Sequence, residues 1–126
     1  PGDMPGRIAD WLSSNGQPVP ATRAEFARSI VESLAEAFAD AVRTASELSG
    51  IPVETIHIVG GGSLNELLCQ RTADRAGVAA EVGPLEATAI GQLLVQGRAA
   101  GYVEGDLDEM REAVAAAFPP KRYAPA

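Results

Sequence analysis

The residues best placed to do chemistry are Gly60, Gly61 and Gly62, which end the β-branched run Ile56-His57-Ile58-Val59 and lead through Ser63-Leu64-Asn65 into a helical pattern. This order predicts a strand, a tight turn and a helix starting near Ser63 or Leu64. Lacking Cβ atoms, the turn can take positive φ and let a ligand come into contact with its N–H groups. The unpaired N–H groups of the helix start and the positive end of its dipole then favour a nucleotide phosphate or another anion. Glycines also occur where a chain merely reverses, so on the triplet alone a purely structural turn is equally open. Two sharper phosphate-binding patterns are excluded. The dinucleotide fingerprint G-x-G-x-x-G requires glycine where Asn65 stands, and no Gly-Lys-Ser/Thr follows to make a P-loop.

No catalytic set emerges from the remaining residues. His57 and Cys69 are each the only one of their kind, so neither an internal disulfide nor a Cys/His zinc site can form. His57 falls within the strand on the side of Thr55 and Val59, where a structural role is expected. Cys69, beside Leu68 on a helix, reads as a small buried hydrophobe. Asp106, Asp108 and Glu109 crowd a helix start, where carboxylates serve the dipole, and Glu86 after Gly83-Pro84 is expected to cap the next helix.

The elements that must position the glycine turn follow from periodicity and punctuation. Asp3 caps a short helix over about 4–15 that stops at Gly16, and Gln17-Pro18-Val19-Pro20 is an extended connector. Thr22 and Glu25 have the spacing of a capping box and open the longest helix, which ends at Gly50 with Pro52 behind it. Its stripe Phe26, Ile30, Leu34, Phe38, Val42, Ala45 and Leu48 predicts a core face. A strand over 54–59, the glycine turn, a helix to Gly77 and a strand over 78–82 make a β-α-β unit with parallel strands. An Ala-, Leu- and Gly-rich helix from Glu86 or Thr88 to about Ala100 comes next, its Ala87, Ala89 and Gly91 allowing close approach to a neighbour. A last helix, capped by Asp106, runs through Ala117 and stops at Pro119-Pro120. Residues 121–126 read as a tail.

At 126 residues, 46% of them hydrophobic, the chain has the size of one α/β domain or a part of one. A net charge of −7, with no large Lys/Arg cluster, argues against nucleic acid as a partner. No apolar run is long enough for a membrane helix, and Pro1-Gly2-Asp3-Met4 has neither the basic start nor the apolar body of a signal peptide. A cytoplasmic setting is expected. A start without Met and a two-strand sheet with open edges suggest a piece of something longer, with self-association through those edges as a further expectation.

The run from Ile56 to Gln70, followed at the proper interval by Gly83-Pro84-Leu85-Glu86-Ala87-Thr88-Ala89-Ile90-Gly91, resembles the C-terminal domain of the FGGY carbohydrate kinases. Asp3-Met4-Pro5, Gly16 to Pro20 and Glu25 to Ala35 extend the likeness, in order, over nearly all of 1–126. The resemblance implies part of an actin-like (ribonuclease H-like) ATPase domain, helix-rich with a short β-α-β unit, on the nucleotide side of a two-domain sugar kinase. It implies ATP and Mg²⁺ as cofactors and a ketose as substrate, with L-rhamnulose phosphorylated to L-rhamnulose 1-phosphate as first choice and xylulose, fuculose or glycerol as alternatives. By the family pattern Gly60, Gly61 and Gly62 line the adenosine and α-phosphate side of the nucleotide site and Asn65 lies near the adenine. Glu86 and Thr88 become structural supports of the helix behind the loop. The family's catalytic aspartate, sugar-binding residues and second phosphate loop have no counterpart here, so the 126 residues alone are expected to be inactive. The alternative from another class is a non-catalytic anion-binding or interaction module.

Overall fold

Local signals at its ends define the longest helix. The Thr22 hydroxyl accepts the Glu25 N–H at 3.2 Å while the Glu25 carboxylate accepts the Thr22 N–H, also at 3.2 Å, and Gly50 closes the far end at φ 67°. In this computed structural model, which describes residues 2–126, the order is α1 (Met4–Ser14), α2 (Arg23–Ser49), β1 (Thr55–Ile58), a 3₁₀ turn (Gly61–Leu64), α3 (Glu66–Ala76), β2 (Ala79–Val82), α4 (Ala87–Ala99), α5 (Leu107–Ala117) and β3 (Lys121–Tyr123). α5 opens on a second capping box, with Asp106 accepting the Asp108 and Glu109 N–H groups. None of the helices is long and apolar enough to cross a membrane, among the described residues.

β1 and β2 pair in parallel, Thr55 opposite Ala79 and Ile58 opposite Val82, as the β-α-β reading requires. The sheet has a third strand. Residues 121–123, expected to be tail, run antiparallel to β2 with Tyr123 opposite Ala80, giving the order β1-β2-β3. Tyr123 draws the segment in, because its ring joins Cys69, Ala73, Ala80 and Val82 in the core between sheet and α3, with Ile56 and Ile58 packed against them. Polar contacts hold the same stretch: Lys121 to Glu66 at 2.6 Å, Arg122 to Glu81 at 3.3 Å, and the Gln70 amide donating to the Ala124 carbonyl at 2.8 Å.

α2 docks on α3 with a face other than the expected one. Ala35 and Ala39 are fully buried, whereas Ile30, Leu34 and Phe38 remain 42–44% exposed. The small alanines allow close approach, and the charged residues beside them reach across to α3: Glu32 to Arg71 at 3.2 Å and to Arg75 at 2.9 Å, Glu36 to Arg75, and Arg43 to the Arg75 carbonyl at 3.1 Å. α4 buries none of its residues and α5 buries Met110.

The ion pairs of Glu32 and Glu36 are expected to make the stability of the chain depend on pH. The Glu32 carboxyl is held below its ordinary value by Arg28 first, with Arg75 and Arg71 adding to it, and that of Glu36 by Arg75 and then Arg43. A carboxyl lowered in the folded state stabilises it at pH above the unfolded value of 4.5, and this stabilisation is lost as pH falls through the folded value. Thermal midpoints followed by circular dichroism are therefore expected to fall more steeply between about pH 5 and pH 3 for the unmodified chain than for Glu32→Gln. Equal slopes would show that Glu32 contributes nothing to this dependence.

Candidate functional site

The glycine turn leaves the sheet at the C-terminal end of β1, next to the point where the Gly83 N–H donates to the Ile58 carbonyl at 2.9 Å. Gly60 takes φ 77° and ψ −166°, a region essentially confined to glycine. The chain then coils into one 3₁₀ turn, with the Ser63 N–H on the Gly60 carbonyl at 3.0 Å and the Asn65 N–H on the Gly62 carbonyl at 3.1 Å. Among the described residues, the N–H groups of Gly61 and Gly62 have no backbone acceptor, and no side chain caps the turn. A Cβ built on Gly60, Gly61 or Gly62 would meet nothing within 4 Å. The turn thus presents two free donors on an unobstructed surface, the arrangement that binds an anion through backbone N–H groups.

The expected helix start differs. α3 begins at Glu66, two or three residues later than Ser63 or Leu64, because Asn65 is the better cap: its Oδ1 accepts the Leu68 N–H at 3.0 Å. Asn65 is therefore committed through its oxygen, and its side-chain NH₂ remains available to donate. The N-terminus of α3 is also not bare. Glu66 lies in its first turn, paired with Lys121, whose ammonium holds the Glu66 carboxyl below its ordinary value. The backbone donors of the turn, rather than the α3 dipole, are what the site offers to an anion.

Beneath the turn lies Cys69. It is fully buried, with Sγ 3.7 Å from the Ser63 carbonyl and 3.9 Å from that of Gly62, and burial pushes its thiol up. This is the small buried residue foreseen from its position, and it couples the turn to α3. His57 is exposed on the opposite sheet face, 3.9 Å from Glu81. Glu86 is exposed and makes no capping hydrogen bond, contrary to the expectation for it, so α4 starts without a side-chain cap.

A cleft of about 640 Å³ does not include the turn or Asn65. It lies between His57, Glu81 and Gly83-Pro84 on one side and α4 and α5 on the other, with Ile90, Leu94 and Val114 among its walls. Its one Arg, Arg111, is paired with Asp108 at 3.0 Å, so this apolar cleft has little to offer a phosphate. The free donors of Gly61 and Gly62 are the stronger chemical signal.

Comparison with known proteins bears on the same segment. The C-terminal domain of the FGGY family of carbohydrate kinases matches residues 1–100, a span that contains the turn, α3 and all of α4. The chain belongs to the FGGY family. The FGGY segment is 40% identical over 125 residues to a rhamnulokinase of Bacteroides thetaiotaomicron and 39% identical over 125 residues to one of Bacillus subtilis, in each case covering 99% of this chain and 26% of the relative. A rhamnulokinase of Pectobacterium atrosepticum is 40% identical over the same length, 99% of this chain and 25% of that protein. The chain thus spans about a quarter of the length of the curated relatives it matches.

Proposed function

We propose that the chain supplies the glycine-turn wall of the nucleotide site in an actin-like, ATP-dependent sugar kinase that converts L-rhamnulose into L-rhamnulose 1-phosphate. The observation that carries the nucleotide role is the turn itself: two free N–H groups, at Gly61 and Gly62, on a surface that no side chain obstructs. Phosphoryl transfer depends mostly on positioning and on stabilising charge, and backbone donors on a glycine turn serve both by holding the phosphate chain of ATP. Gly60 gives the turn its path, Gly61 and Gly62 face the nucleotide, and the Asn65 amide donates toward the adenosine. The choice of sugar rests on the likeness to rhamnulokinases.

Among the described residues no group of three or more His, Cys, Asp or Glu side chains is placed to hold a metal. The ion that accompanies ATP would be held by the phosphates and by parts of the kinase outside these residues. The general base and the sugar-binding groups are assigned to the same outside parts, so the 126 residues alone do not turn over.

The test is a coupled assay of ADP release by the complete polypeptide that carries this segment, with ATP, Mg²⁺ and a panel of L-rhamnulose, xylulose, fuculose and glycerol. L-Rhamnulose is expected to give a kcat/KM at least about tenfold above the others, and the 126-residue chain no turnover with any of them. A preference for another sugar would refute the substrate assignment, and turnover by the short chain would refute the division of labour.

A further inference from the structure

α2 carries two sectors of opposite character. At about 100° per residue, the charged side chains from Glu25 to Glu47 fall on one side, the side that grips α3 through Glu32, Glu36 and Arg43. The opposite sector, with Ile30, Leu34, Phe38, Ala41, Ala45 and Leu48, has no charged residue over about five turns, Arg23 lying in it only at the first residue of the helix. Much of it is left open among the described residues: Leu34 is 42% exposed and Leu48 84%. Toward its N-terminal end it continues into a groove of about 460 Å³ shared with α1, where Ile30 and Leu34 face Ile8, Trp11 and Leu12. An uncharged face of this length is unusual on a free protein surface and marks an interface.

We propose that in the complete kinase polypeptide this sector of α2, together with the α1 groove, is buried against an apolar surface of the part that precedes this segment. Two observations select that occupant over a second copy of the chain. The relatives are about four times as long, and the matched segment belongs to the C-terminal domain, so most of the polypeptide is tethered nearby at high effective concentration. Each copy of the chain carries a net charge of −7, which opposes self-pairing.

The test uses the complete polypeptide beside the 126-residue chain. Leu34→Asp is expected to lower the thermal midpoint of the complete polypeptide by about 5 °C or more, or to prevent its soluble expression, and to shift that of the short chain by less than about 2 °C. Phe38→Cys covers the case in which the first variant does not fold. With Cys69 buried, maleimide labelling at position 38, located by peptide mass, is expected to be at least about tenfold slower in the complete polypeptide than in the short chain. Equal labelling rates in the two would overturn the proposal. So would a gene product no longer than these 126 residues, or a short-chain dimer dissociated by Leu34→Asp while position 38 stays open in the complete polypeptide.

Discussion

Replacing Tyr123 by alanine is expected to cost about 3 kcal/mol of stability, measured by urea denaturation of the 126-residue chain, although only three residues of the sequence follow it. The ring is 8% exposed and sits in a core whose other buried members, Cys69, Ala73, Ala80 and Val82, are small. Small neighbours cannot collapse into the space that the ring leaves, so both its transfer energy and the cavity term are lost. β3 is three residues long, and beyond its backbone pairing with β2 and the Gln70–Ala124 hydrogen bond it is attached by surface ion pairs, which contribute little. Arg122→Ala, which removes one of those pairs, is expected to stay within about 1 kcal/mol of the parent. A Tyr123→Ala chain with unchanged stability would mean that β3 is not docked and that the core is closed by something else.

Gly61→Asp is expected to weaken nucleotide binding to the complete polypeptide by at least about tenfold, with the fold intact. Two features make this a clean separation of site from scaffold. Gly61 is not among the residues with positive φ, and a Cβ there meets nothing within 4 Å, so the thermal midpoint should move by less than about 2 °C. The carboxylate would stand where the phosphates are assigned, replacing a donor surface with a like charge. Gly60→Ala is the contrasting case. At φ 77° and ψ −166° a Cβ is strained, and this variant is expected to lose about 1–3 kcal/mol of stability whatever it does to binding. Titration with ATP beside thermal melts reads both effects, and a Gly61→Asp protein that binds ATP like its parent would remove the turn from the site.

Elements with signals inside their own sequence were legible. The Thr22–Glu25 box, Gly50 and Gly77 set the ends of α2 and α3, and the β-branched run before Gly60 set β1, because each depends on a few neighbouring residues. The start of α3 was less so, since Ser63 and Asn65 are both capping types and the outcome depended on the 3₁₀ turn that the glycines allow. β3 was illegible: three residues after Pro119-Pro120 show no alternation, and their pairing is decided by the space for Tyr123 beneath β2, some forty residues away in sequence. The stripe on α2 was read correctly as apolar and wrongly as covered by this chain. Periodicity identifies a face that avoids charge and carries no information on whether its cover lies within the same 126 residues. At the candidate site, the sequence singles out Gly60, Gly61 and Gly62 and the family resemblance adds Asn65, whereas the support by Cys69 and the neutralising Glu66–Lys121 pair depend on three-dimensional contacts.

Contact between the Gly60–Gly62 turn and the nucleotide is read by amide hydrogen exchange of the complete polypeptide with and without ADP. The free N–H groups of Gly61 and Gly62 exchange readily while they lack acceptors, and they should slow by at least about tenfold when phosphate oxygens accept from them. Protection of peptides covering 60–65 on ADP binding is the predicted result. ADP binding that protects other loops and leaves 60–65 unchanged would mean that the turn is not part of the nucleotide site.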